Sequence, residues 1–219
     1  MKKIWSLAAI VLFAAGSAHA QNLSFGPTVG FGHSWIGSSD KLEDPAKRYF
    51  HPAYNVGAKM VYSFVSHWGV SADVKFAGEG GKFGSDSEGD PRTIYRLNYV
   101  RVPLQGIYFF EQLGDGVRPK VSLGPSFGFL VGGETKSEED GETTAEVKSK
   151  DYFKSFDLGL NGAIGANFRL MGNKWINADI TYYHGLSNIN DFDGAKLRNR
   201  GIGFNVGILF PIGTVKPGK

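Results

Sequence analysis

The chain has 219 residues, of which 31 are glycine, 14% are aromatic and none is cysteine. Glycine is about twice as frequent as the usual ~7% and destabilises helices, which argues against an all-helical fold. The absence of cysteine excludes disulfides, thiolate catalysis and cysteine-based zinc sites. Without the two lysines of the leader described next, the 22 remaining basic residues face 21 acidic ones. This balance gives no basic surface for nucleic acid.

The first twenty residues have the features of an export signal. Lys2 and Lys3 precede an apolar run from Ile4 to Ala15, and Ala18-His19-Ala20 supplies the small residues that signal peptidase accepts. The run is shorter than the ~20 residues that span a bilayer as a helix. We therefore predict a signal peptide over 1–20 and a mature chain outside the bacterial cytoplasm.

Eight segments of the mature chain alternate large apolar residues with small or polar ones at a period of two, which is the period of a β-strand. In the clearest segment, 152–170, large apolar residues such as Phe156 and Leu158 alternate with polar or small ones such as Asp157 and Gly159. The other seven segments are 23–35, 54–64, 68–76, 100–108, 120–131, 176–182 and 201–210. No helical period fits these runs.

The links between these segments alternate between long and short. The long links are 36–51, 80–91, 132–150 and 186–198, and the short ones are 65–67, 111–117 and 171–174. Outer-membrane barrels have short periplasmic turns and long outer loops, and an even number of strands returns both termini to the periplasm. We therefore predict an all-β fold, an eight-stranded antiparallel up-and-down barrel over 21–211 that spans the bacterial outer membrane, followed by a periplasmic tail over 212–219.

Charged residues share the polar face of these strands with glycine, serine and asparagine. Small residues suit the crowded lumen of an eight-stranded barrel, so we expect this face to point inward. The predicted lumenal charge network comprises Lys59, Asp73, Lys75, Arg101, Lys120, Asp157, Arg169 and Asp179. An unpaired buried charge costs several kcal/mol, so these residues should pair into a structural plug. A narrow, weakly anion-preferring pore is the alternative.

Aromatic rings lie near the ends of the predicted strands, as at the two interfaces of membrane barrels. The predicted aromatic girdle comprises Trp35, Tyr54, Trp68, Tyr95, Tyr152, Trp175 and Phe210. The same alternation turned inside out would give a secreted soluble eight-stranded barrel that binds a small apolar ligand. That reading is the second alternative.

Two local sequences resemble a known family. LNYVRVPL, Leu97–Leu104, is similar to the L-x-Y-L-x-I-P-L strand of the PorT-like outer-membrane barrels of Bacteroidota, which are small barrels of the OmpX and OmpA type. YHGLSNI, Tyr183–Ile189, is similar to the Y-x-x-G-L-T-N-I segment before that family's last strand. The chain departs from the family at Arg101, where Glu is frequent, and in continuing past Phe210. The resemblance implies an outer-membrane barrel and specifies no activity.

No catalytic, cofactor-binding or metal-ligating set stands out in the sequence. There is no G-x-S-x-G elbow, no histidine pair has metal-ligand spacing, and the acidic segment 132–150 matches no known cation loop. We expect a non-enzymatic, porin-like envelope protein without cofactor or metal, acting structurally or through its long outer loops. The expected partners are outer-membrane lipid, lipopolysaccharide and an envelope or surface protein that contacts 36–51, 80–91, 132–150 and 186–198.

Overall fold

A computed structural model describes residues 23–38, 47–64, 67–84, 92–139, 142–170, 174–192 and 194–212. The predicted signal peptide and residues 213–219 of the predicted tail lie outside the described residues. In these ranges, no helix has both the length and the apolar composition needed to cross a membrane.

Eleven strands are present in the described ranges. They are β1 (Leu23–Ser38), β2 (Lys47–Tyr49), β3 (Pro52–Ser63), β4 (Trp68–Gly84), β5 (Arg92–Phe109), β6 (Val117–Gly132), β7 (Glu134–Glu139), β8 (Glu142–Lys148), β9 (Phe156–Arg169), β10 (Trp175–Gly185) and β11 (Leu197–Ile212). A single 3₁₀ turn, Ser149–Asp151, follows β8. The last strand therefore includes Ile212, the first residue of the predicted tail.

Eight of the strands close into a ring. Each pairs antiparallel with its neighbour in the order β1, β3, β4, β5, β6, β9, β10, β11, and β11 returns to β1 with Phe31 opposite Phe204. Closure gives every ring strand a partner on both sides, which removes the exposed edges of an open sheet. The predicted eight-stranded antiparallel barrel is confirmed.

The alternation places apolar side chains on the outside of the ring. Phe31 and Ile164 expose 64% and 71% of their surface, whereas Asp157 and Asp179 are buried inside. A soluble barrel with an apolar interior would have the opposite arrangement. The soluble alternative is therefore wrong, because the interior is polar and charged along its middle.

Two glycines illustrate why this residue is so frequent. A Cβ on Gly26 of β1 would collide with the carbonyl of Ile208 on β11, so a side chain there would push the first and last strands apart. Gly133 has a φ of 129°, a backbone conformation that favours glycine. It lies between β6 and β7 and lets the chain leave the ring there.

All four predicted long loops contain strand residues, which corrects the sequence-based prediction; in the link 186–198 these are the first two residues of β11. The link 36–51 contains β2, the link 80–91 is shortened because β4 continues to Gly84, and the link 132–150 contains the β7–β8 hairpin. β4 and β5 extend past the ring and form a five-stranded sheet in the order β2-β4-β5-β7-β8, here called the outer sheet. The short-turn end of the barrel, opposite the outer sheet, carries the links after β3, β5 and β9.

The barrel lumen as candidate functional site

Four layers of side chains fill the lumen from the short-turn end to the outer sheet. They are an apolar cluster, a lysine–aspartate network, an arginine–carboxylate network and a second apolar cluster. The ring strands place them there because successive inward-facing residues on one strand lie two positions apart. On β5, for example, Ile107, Arg101 and Leu97 enter three different layers.

The first layer, here called the short-turn cluster, is apolar. Its buried members are Val61, Ile107, Phe109 and Leu209, and Trp175 packs against them. Trp175 was predicted in the lipid-facing girdle, and the structure corrects this. Its position on β10 has the same parity as Asn177 and Asp179, so its ring points into the lumen and closes the short-turn end.

The second layer, here called the lysine network, is organised by two aspartates. Asp179 accepts hydrogen bonds from Lys120 and, at 3.3 Å, from Lys59. Asp73 lies 3.0 Å from the ammonium of Lys75 and 3.8 Å from that of Lys59. Three buried ammonium groups therefore share two carboxylates, and Lys59 joins the two pairs.

The third layer, here called the arginine network, is centred on Arg101. Its Nε donates to Glu79 at 2.7 Å and its Nη2 donates to Asp157 at 2.8 Å. Asp157 also accepts hydrogen bonds from Tyr183 at 2.9 Å and Ser187 at 2.8 Å. A buried carboxylate with this many donors is held in one position.

Charge is balanced over the two networks together. The lysine network carries one excess positive charge, and the arginine network carries one excess negative charge from Glu79 and Asp157 against Arg101.

The structure places seven of the eight predicted charged residues inside the lumen and leaves Arg169 exposed at the end of β9. The eighth charged residue in the lumen is Glu79, which the prediction missed. The lumen therefore holds four cations and four anions.

The fourth layer, here called the loop-end cluster, closes the lumen beneath the outer sheet. Its buried members are Ile36, Leu97, Tyr99, Leu130, Phe153 and Ile189. Phe153 and Ile189 come from the links after β8 and β10, so the loops supply part of the closure. Tyr95 packs edge-on against Phe153 with ring centres 5.4 Å apart. Its placement in the predicted girdle is wrong, because it shares the inward face of β5 with Leu97.

The other predicted girdle residues lie on the outer surface. Tyr54 and Trp68 are exposed on opposite ends of the ring, and Phe210 is exposed with the Lys174 ammonium 5.7 Å from its ring centre. Trp35 stacks on His33 on the outward face of β1. The fifth residue, Tyr152, follows the 3₁₀ turn and packs against Phe192 with ring centres 5.5 Å apart.

A cavity of about 100 Å³ adjoins both networks. Lys75, Glu79 and Arg101 line it, together with the amides of Asn55 and Asn205. The two apolar clusters close the lumen beyond the networks on either side. Within the described residues, the two networks and the two clusters thus lie across the lumen, which argues against the narrow-pore alternative.

His51 links three strands at the long-loop end. Its N–H donates to Nδ1 of His33 at 3.1 Å, and its carbonyl accepts from the Ser34 N–H at 3.1 Å. Burial lowers the pKa of His51, and this effect outweighs the hydrogen bond with the Glu79 backbone, which favours the protonated ring. Over the described ranges, no group of three His, Asp or Glu residues is arranged to hold a metal ion.

Comparison with known proteins finds a family match. Residues 19–191 match the family described as "Outer membrane protein beta-barrel domain". None of the curated proteins matches the chain.

Solved structures similar to this chain are small outer-membrane barrels. The N-terminal β-barrel domain of Pseudomonas aeruginosa OprF is 15% identical, covers 87% of this chain and 98% of its own, and gives a TM-score of 0.43. Neisserial surface protein A is 13% identical with coverages of 85% and 97% and a TM-score of 0.45. OprG of Pseudomonas aeruginosa is 11% identical with coverages of 85% and 93% and a TM-score of 0.45.

Proposed function

The chain belongs to the outer membrane protein beta-barrel domain family, and from this premise we propose that it is a closed, non-enzymatic scaffold that presents the outer sheet at the cell surface to a partner. Its location is the bacterial outer membrane. Short turns of such barrels face the periplasm, so the outer sheet belongs on the extracellular side.

The length of two ring strands carries this proposal. β4 has 17 residues and β5 has 18, whereas the other six ring strands have 11 to 16. A tilted strand needs only ~9–11 residues to cross the bilayer. At roughly 3.3 Å per residue, the six or seven residues beyond 11 add about 20 Å of strand, which a tilt of about 40° reduces to about 15 Å of height. Continuity with the barrel makes the outer sheet a rigid surface for a protein or lipopolysaccharide partner.

The sealed lumen supports a scaffold rather than a pore. An apolar cluster closes the lumen beyond each network. Removing one charged residue therefore leaves both apolar clusters in place, and they still close the lumen. We expect purified protein in planar bilayers to give no discrete conductance steps. Regular steps from the wild-type protein would contradict the closed scaffold.

Membership in the PorT-like subgroup is part of this proposal. Two motif residues, Arg101 and Tyr183, meet in the arginine network with the guanidinium carbon 4.1 Å from the ring centre. Ser187, also from the second motif, hydrogen-bonds to Asp157 in the same network. Both segments that resemble the family therefore contribute to one buried cluster, which supports a shared folding requirement.

A cleavable signal peptide over residues 1–20 is also part of the proposal. We propose cleavage after Ala20, which would begin the mature chain at Gln21. N-terminal sequencing of protein purified from outer membranes tests this. A sequence that begins at Met1 would contradict it.

Surface proteolysis tests the presentation of the outer sheet. A protease site inserted between residues 140 and 141, where β7 and β8 join, should be cut on intact cells. The matched control is the same site inserted within 171–173, the link between β9 and β10, which should be cut only after the outer membrane is permeabilised. The reverse pattern would overturn the proposed orientation.

A further inference from the structure

A groove crosses the outward face of β3, β4 and β5. It has a volume of about 350 Å³. Its outward-facing lining residues are Met60, Tyr62, Val70, Ala72, Leu104 and Gly106. No charged side chain lines it, and it lies on the same face of the ring as the exposed apolar residues.

Strand register explains the shape of the groove. Ala72 lies directly between Met60 and Leu104 on the neighbouring strands. In the next outward row, Val70 faces Gly106. A Cβ on Gly106 would find its nearest heavy atom 3.9 Å away. Ala72 therefore forms the floor between Met60 and Leu104, which stand two strand spacings, about 10 Å, apart. Gly106 extends this floor diagonally onto β5, beside Val70.

The position along the barrel places the groove in the periplasmic half of the bilayer. Val70 is two residues from Trp68, which begins β4 at the short-turn end. Trp68 and Tyr108 pack edge-on there with ring centres 5.1 Å apart. Aromatic rings of this kind lie at the level of lipid headgroups. The groove therefore begins just inside the interface and runs into the hydrocarbon.

We propose that this groove is a binding site for one acyl chain of an inner-leaflet phospholipid, with the glycerol region of the lipid beside Trp68 and Tyr108. The proposal rests on the outer-membrane location. The groove continues the lipid-facing surface, so a lipid chain is the occupant already next to it. An apolar slot that stays unfilled loses the dispersion contacts of its walls, and a flexible hydrocarbon chain restores them.

Native mass spectrometry tests this with palmitoyl-oleoyl phosphatidylethanolamine added to delipidated, detergent-solubilised protein. The wild-type barrel should retain one lipid at concentrations where further lipids have dissociated. Ala72→Leu and Gly106→Leu fill the slot and should each weaken this retention by about tenfold. The matched control is Ala178→Leu, which enlarges an outward alanine on β10 and should retain lipid like the wild type.

Three outcomes would overturn the site. The first is equal lipid retention in all four proteins, and the second is equal loss in Ala178→Leu. The third is a wild-type dimer that Ala72→Leu abolishes, which would assign the groove to a second copy. A heat-dependent shift on SDS gels verifies that each variant is folded. Surface cleavage between 140 and 141 reports separately on the proposed function, so failure of one proposal is distinguishable from failure of the other.

Discussion

The guanidinium of Arg101 lies 4.1 Å from the ring centre of Tyr183, and this contact joins the two segments that resemble the PorT-like family. The ring centre of Tyr99 lies 4.6 Å from the same guanidinium. The family frequently has Glu where this chain has Arg101. Here Glu79 and Asp157 supply the negative charge, so the arginine is accommodated in a buried site.

Removal of the Arg101 charge should destabilise the barrel strongly. Arg101→Met keeps much of the side-chain length but leaves Glu79 and Asp157 buried without their cation. Breaking a buried ion pair from one side costs about 3–5 kcal/mol. Urea-dependent folding into lipid vesicles measures this change, and Arg48→Met on the exposed strand β2 is the control, expected within about 0.5 kcal/mol of wild type. Equal effects of the two substitutions would contradict the arginine network.

The lysine network should tolerate loss of a cation better than loss of an anion. Lys75→Met leaves two lysines with two aspartates, whereas Asp179→Asn leaves three lysines with Asp73 alone. We expect Asp179→Asn to lower the free energy of unfolding by at least about 1.4 kcal/mol more, a factor of ten in the folding equilibrium. The same vesicle assay compares them. If Lys75→Met lowered the free energy of unfolding more than Asp179→Asn, the lysine network would not carry an excess positive charge.

The inward orientation of Trp175 can be measured by fluorescence. In variants that retain one tryptophan each, lipids brominated in their acyl chains should quench Trp68 strongly and Trp175 weakly. Trp175→Ala should also cost about 3–5 kcal/mol, because it leaves a cavity in the short-turn cluster. Strong quenching of Trp175 would show that its ring faces lipid, as the sequence predicted.

Acidification should loosen the contacts around His51. Its folded-state pKa is lowered, so in the folded protein the ring stays neutral below about pH 6.5, where an exposed histidine binds a proton. Stability is therefore fully present above that pH and falls as the pH drops through it. The protection factor of the Ser34 amide, which donates to the His51 carbonyl, should therefore decrease between pH 7 and pH 5 in hydrogen-exchange measurements.

The matched variant for this measurement is His51→Gln, which does not titrate in the range. The protection factor of the Ser34 amide should then no longer decrease on acidification. The same decrease in wild type and variant would assign the effect to another group.

The eight ring strands were predictable because membrane and lumen impose opposite demands on alternate residues. The same parity contained information that the girdle prediction did not use. Tyr95 shares a face with Arg101, and Trp175 shares one with Asp179, so a ring near a strand end does not by itself face lipid. Ile107, Leu130 and Leu209 were apolar residues on the polar face, and they mark the two apolar clusters.

The outer sheet was not predictable by the same criterion. All seven residues of β8 are exposed, so neither face demands apolar residues and no period of two appears. Glu79 was not predicted to belong to the lumenal charge network, for a related reason. It lies between glycines close to a predicted loop, and only the extension of β4 places its carboxylate beside Arg101. The pairing of Arg101 with a residue 22 positions earlier depends on strand register, which composition does not reveal.

A barrel that is closed at both ends does not increase the permeability of the membrane around it. Many copies can therefore occupy the cell envelope without admitting toxic solutes or releasing periplasmic ones. With the proposed orientation, the number of copies is limited by membrane area and by assembly, and the outer sheet is displayed densely at the surface. Dense display favours weak contacts that act together on one partner surface.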